Sequence, residues 1–441
     1  MGVTVCAIIA VLALLPSITH GTDSSVPFIH ADQVHAMGIT GFGVTVAVVG
    51  FGVDYADPWL AGHIADGGVS FVLGVEIPEG GADPFGPGHG TYMSLIITDP
   101  TGVAPDAKIL PIRVGLAPVA YPGDVVRGIR HAIDWSMADP SIRIVNLSLG
   151  GGEYPCDCDS DDQYTFRYQR AIWDALSVGI VTFAVTGNEA GCPWMNKPAC
   201  VSAAVKVAAS YDGNYGDVYY PQTNCWDFDI DPYWVTCFSS IAGDCGYLLA
   251  APGYDITVGT YSGYGTSQAT AHCSGVAALM FSKNGCGTMS AYTARQTIYD
   301  TASSHDWGSP HCPYPPEPKH VDALAAVNAV SGPSFPVVGD LDCDGLVSGY
   351  DVPGFDQCMS GPGTPYPNVY CAGVDFPTAD GDVDLRDLYS FQLTFDGMGS
   401  GACCHADGTC SITTVYDCLA GPGAVCTGPC DFLVPRAWHE V

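Results

Sequence analysis

Apolar positions along this chain follow two rhythms. Short, nearly continuous runs at 44–49, 109–114, 142–148, 180–185 and 201–208 have the pattern of parallel strands covered on both faces. Between them, 92–97, 125–137, 166–178, 267–283 and 289–301 repeat their apolar residues at helical spacing. Strand and helix in alternation predict an α/β domain over 28–330 with a mainly parallel sheet. In such sheets the chemistry belongs at the carboxyl ends of the strands. The rhythm stops at Ser331-Gly332-Pro333-Ser334-Phe335-Pro336, a linker over 331–337. Two smaller modules follow, at 338–397 and 400–441. Residues 331–441 hold 15 acidic and 2 basic residues, a net −13.

The first 21 residues contain no Asp, Glu, Lys or Arg. Their apolar run is too short to span a bilayer and is broken by Pro16, with small residues after it. This reads as a cleaved secretory signal over 1–21 and a secreted, extracellular protein. No later segment reads as a membrane span. With 14 basic against 46 acidic residues the formal charge is −32. That excludes a nucleic-acid surface, whose affinity comes from Lys and Arg, and leaves basic ligands or divalent cations. Of the 20 cysteines, Cys6 leaves with the signal, and the odd remainder requires at least one free or intermolecular thiol. Cys273, on a buried helix, is the candidate. Cys192 with Cys200 and Cys225 with Cys237 are short-loop pairings to test.

Three motifs carry candidate chemistry. Ser267 lies in Gly265-Thr266-Ser267-Gln268-Ala269-Thr270-Ala271, a turn that opens a helix, where the positive end of the helix favours developing negative charge. His89 lies in Gly88-His89-Gly90-Thr91, also at a helix start. Asn188, in Thr186-Gly187-Asn188, follows a strand and offers an amide to an oxyanion.

In these motifs the domain over 28–330 resembles the subtilase family of serine peptidases. The serine motif is similar to the family signature, with Ala271 where proline is usual, and Gly88–Thr91 matches its histidine motif. Gly102-Val103-Ala104-Pro105-Asp106-Ala107 and Ala251-Pro252-Gly253 match two of its turns. The resemblance implies a subtilisin-like three-layer fold with Ser267 as nucleophile, His89 as base and Asn188 as oxyanion donor. It also implies that Ser148, Leu149 and Gly150, which close Val145-Asn146-Leu147-Ser148-Leu149-Gly150, pair with a polypeptide substrate as an added strand.

Two departures stand out. The family acid is missing: Gly50-Phe51-Gly52 stands where Asp-Thr-Gly or Asp-Ser-Gly is expected, so Gly50 marks a vacant triad-acid position. Loss of that acid alone lowers kcat about 3 × 10⁴-fold in subtilisin, roughly 6 kcal/mol. Asp54 and Asp57 would have to swing back past the strand end to replace it. An inhibitory propeptide between signal and domain is also not expected.

The module over 338–397 begins with an EF-hand-type loop, Asp340 to Asp351. Asp340, Asp342, Asp344 and Asp351 stand at positions 1, 3, 5 and 12, and glycine at 6. The Leu346 carbonyl and Ser348 complete an oxygen set suited to Ca²⁺. Asp380, Asp382, Asp384 and Asp387 form a poorer second loop. The duplicated loop-helix unit resembles a dockerin, a resemblance that implies a cohesin-like docking partner. Residues 400–441, rich in cysteine, read as a disulfide-held tail. The expectation is a secreted subtilisin-like serine endopeptidase impaired at Gly50. The alternative is an inactive pseudo-protease that binds peptides or docks.

Overall fold

The computed structural model describes residues 24–78, 81, 88–243, 245–285, 289–305, 312 and 318–332. It also describes 347, 355, 358–360, 371, 375, 382–383, 400–404 and 410–414. Nine strands form the central sheet: β1 Thr45–Gly50, β2 Val69–Val72, β3 Val75–Pro78, β4 Lys108–Arg113, β5 Ile142–Leu147, β6 Val181–Val185, β7 Val205–Ser210, β8 Leu248–Pro252 and β9 Lys319–His320. Their order across the sheet is β9-β8-β7-β6-β5-β1-β4-β2-β3. All neighbours are parallel except the β2–β3 hairpin at one edge. β1, β6, β7 and β8 are buried throughout, as their unbroken apolar runs require.

Helices cover both faces. α1 His89–Thr98 and α4 Thr266–Asn284 pack on one, and α2 Pro122–Trp135 and α3 Gln163–Ser177 on the other. The fold is therefore the three-layer α/β architecture expected, with a core on each side of the sheet. α2 begins with Pro at its first turn and faces the sheet with Val125, Ile129 and Ala132, one helical stripe. α3 is set by a capping box between Asp162 and Thr165. α4 is buried nearly all round, so its small residues decide how closely it packs. A Cβ on Gly275 would sit 2.6 Å from Cβ of Val103, so only glycine permits that approach.

β1, β5 and β6 run in parallel and end together. The chain leaves them through Gly50, Leu147 and Val185, so residues 51–52, 148–150 and 186–188 share one rim.

Two expectations need correction. The strand expected from 201 begins at Val205. Val201 and Ala204 instead turn their carbonyls onto the buried Lys206 ammonium, at 3.0 and 3.2 Å, which satisfies a charge that could not otherwise be buried. The Cys192–Cys200 pairing is wrong. Cys192 joins Cys312, Cys158 joins Cys200, and Cys156 joins Cys245, since folding brings together cysteines far apart in sequence. Cys225–Cys237 is present, and Cys273 is free and buried.

Beyond 332, Cys358 joins Cys371, and Ser400–Cys404 pairs antiparallel with Cys410–Thr414. The expected ligands Asp340, Asp342, Asp344, Leu346, Ser348, Asp351, Asp380, Asp384 and Asp387 lie outside the described residues, as does the leader over 1–21. Among the described residues no helix is long and apolar enough to cross a membrane.

Candidate active site

Ser267 is the second residue of α4 and is partly exposed while its helical neighbours are buried. Its hydroxyl donates to the Ser148 carbonyl at 3.2 Å, and the Ser148 hydroxyl donates to the Ser267 carbonyl at 3.0 Å. The exit of β5 and the start of α4 are thus tied reciprocally. The first turn of a helix leaves backbone N–H groups without helical partners, so an oxygen anion beside Ser267 meets donors.

Asn188 follows β6 across Gly187, whose φ of +114° favours glycine. A Cβ on Gly187 would fall 2.4 Å from Glu189 and 2.5 Å from Asn196. The Asn188 Oδ1 accepts from both the backbone N–H and the hydroxyl of Thr266, each at 2.9 Å. Two donors on one end fix the amide orientation, so the Nδ2 donor end is turned away from Thr266. The turn is braced by Ser240 N–H donating to the Gly187 carbonyl at 3.0 Å and by Asn196 Nδ2 donating to Glu189 at 3.1 Å.

Ser148, Leu149 and Gly150 continue past the end of β5. Gly150 lies against the turn that carries Asn196 and Lys197, where a Cβ would come within 3.0 Å of the Lys197 carbonyl. Gly151–Tyr154 then pairs antiparallel with Met195–Lys197.

His89 opens α1 behind Gly88. The first turn of α1 lies on the exit of β1, because a Cβ on Gly90 would come 2.1 Å from the Gly52 carbonyl oxygen. The Phe51 ring meets the imidazole edge-on at 6.1 Å between centroids. Among the described residues no group hydrogen-bonds to the imidazole, whereas its burial lowers the pKa to about 4. Desolvation disfavours the charged form, and among the described residues no carboxylate offsets it.

β1 ends in glycine, so this strand brings no carboxylate to His89. Among the described residues nothing lies within 4 Å of where a Cβ on Gly50 would sit. The acids downstream are engaged elsewhere. Asp54 accepts from the Ala56 N–H at 2.9 Å, and Asp57 accepts from the Trp59 N–H at 2.9 Å, capping a short helix. Each is bent onto its own turn.

The structure therefore joins Ser267, Ser148, Thr266 and Asn188 in one hydrogen-bonded set. His89 stands at the same end of the sheet, and Gly50 ends the strand it packs on. Two bonding groups escaped sequence reasoning: the Thr266 hydroxyl, which holds Asn188, and the Ser148 hydroxyl, which holds the Ser267 carbonyl. Their residue types within the two motifs were the only available signal.

The subtilase family profile matches residues 41–314. Subtilisin NAT of Bacillus subtilis subsp. natto is 29% identical over 289 residues, 60% of this chain and 64% of that protein. Fervidolysin of Fervidobacterium pennivorans is 29% identical over 274 residues, 57% of this chain and 37% of that one. A subtilisin of Bacillus pumilus is 28% identical over 282 residues, 59% of this chain and 86% of that one. Against the first of these the chain spans under two-thirds of the relative's length.

Proposed function

Since the chain belongs to the subtilase family, we propose that it is a serine endopeptidase whose turnover is held down by the glycine at position 50. The observation that carries this reading is the bonded set of Ser267, Ser148, Thr266 and Asn188. It brings a hydroxyl, the first turn of a helix and a held amide together beside two strand exits. Ser267 attacks the scissile carbonyl, His89 takes its proton and passes it to the leaving amine, and the Asn188 amide with the Ser267 N–H receives the oxyanion. Ser148 to Gly150 pair with the polypeptide substrate as an added strand. A fluorophosphonate probe labels Ser267 slowly in the folded protein. Absence of labelling in both the native protein and Gly50→Asp removes the reading.

The unbonded imidazole favours a second reading, a pseudo-protease that holds peptides without cleaving them. In that case Ser267→Ala leaves peptide affinity and biological effect intact.

The leader over 1–21 supports secretion. For the C-terminal module we propose calcium binding by the Asp340 and Asp380 loops, and docking to a cohesin-like partner. Asp382 is the described member of that ligand set and is a buried residue, and carboxylate oxygens in this pattern suit a hard cation. Calcium titration of the full chain, read by circular dichroism and melting temperature, tests this.

A further inference from the structure

We propose that the open space beside Gly50 is a binding site for a carboxylate group, free in solution or carried on the bound polypeptide, which accepts the Nδ1–H of His89 and orients it as a base. The inference rests on the peptidase reading above and adds what completes its site.

The difference between Gly50 and the aspartate it replaces is a CH₂–COO⁻ fragment, the skeleton of acetate. Gly50 is buried at the end of β1, yet among the described residues nothing lies within 4 Å of where its side chain would begin. The first turn of α1 is fixed against the same strand exit by the Gly90–Gly52 contact. His89 itself has no hydrogen-bond partner among the described residues.

One basic residue, itself engaged with other groups, stands near this opening. Gly50 is the register partner of Arg113, which in turn pairs with Ser70. Register partners in a parallel sheet share a face, so a guanidinium-bearing residue stands in the row beside the opening. Its Nε donates to the Ser70 hydroxyl at 2.8 Å. The acids nearest in sequence, Asp54 and Asp57, are committed to their own turns.

The step balances without consuming the anion. The Ser267 Oγ–H proton passes to His89 Nε2 as the Oγ–C bond forms and the carbonyl π pair moves to oxygen, facing Asn188. The carboxylate accepts a hydrogen bond from Nδ1–H throughout and gains no proton. The Nε2 proton then leaves with the amine as the C–N bond breaks, and water repeats the sequence on the acyl-enzyme.

The test uses the full chain and a glutamine-containing peptide substrate, with chloride replaced by formate or acetate at constant ionic strength. Hydrolysis and fluorophosphonate labelling rise saturably, at least tenfold, with formate or acetate. They do not rise with bulky pivalate, and Gly50→Asp does not respond. A glutamate-containing peptide cleaved at least tenfold faster than its glutamine twin without added anion places the carboxylate on the substrate. In Ser267→Ala, which cannot turn over, formate shifts the ¹⁵N resonances of the His89 ring if the free anion is the source. If neither formate nor the glutamate peptide accelerates a protein that Gly50→Asp activates, the inference fails and the peptidase reading stands. An equal response in Gly50→Asp is a salt effect and also overturns it. If neither protein labels at Ser267, both fall together.

Discussion

Around Ser267 and Asn188 the polar groups are paired, whereas among the described residues none pairs with the His89 ring. On the nucleophile side, Thr266 fixes the Asn188 amide, Ser148 clamps the Ser267 backbone, and glycines at 187 and 275 allow close packing. On the base side, an imidazole that meets the Phe51 ring has its proton affinity lowered by desolvation, and the strand before it ends in glycine. Binding and oxyanion stabilisation need the first half only, while proton transfer needs both. On the proposed reading, the chain keeps the half that would hold an acyl centre and lacks the strand-end acid that would set the tautomer of its base.

Gly50→Asp breaks this asymmetry most directly. Among the described residues nothing lies within 4 Å of the new Cβ, and the carboxylate it buries would gain a partner in His89. Peptide hydrolysis is expected to rise by about 10³–10⁴-fold, measured as kcat on a chromogenic peptide. In that activated background Asn188→Ala removes the aimed donor and lowers kcat about 10²–10³-fold, with KM little changed. Thr266→Val keeps Asn188 but deletes one of the two bonds that hold it. The loss is about 1 kcal/mol, roughly fivefold in kcat.

The pH profile is the finest probe. With its pKa near 4, His89 stays neutral well below pH 6, so the acid limb of fluorophosphonate labelling in the native protein lies near pH 4. A carboxylate at position 50 favours the imidazolium and moves that limb upward. The same group affects folding. Between pH 6.5 and about 4 the unfolded chain binds the proton more readily, so stability falls as the pH drops through that window.

Much of this was legible in the sequence, for reasons that differ by element. β1, β4, β5 and β6 are central strands, and burial on both faces writes them as apolar runs. The edge hairpin escaped, because Val75–Pro78 is exposed throughout and carries no such pattern. Leu248–Pro252 escaped because its final residues also match a family turn, and a short apolar run has no period of its own. The places of Ser267 and His89 at helix starts and of Asn188 after a strand were readable from the residues around them. The roles of the Thr266 and Ser148 hydroxyls were not, since they depend on which strand exit meets which helix start. Cysteine partners 42 and 120 residues apart are invisible for the same reason.

The cross-links also have a one-sided distribution. Among the described residues up to 332, every disulfide lies between Cys156 and Cys312, and Cys192 is four positions from Asn188. A thiol reductant would therefore slacken the loop that carries the oxyanion amide while the surroundings of the imidazole stay as they were. Redox conditions would then govern how well a reacting carbonyl is gripped, separately from how readily a proton is moved.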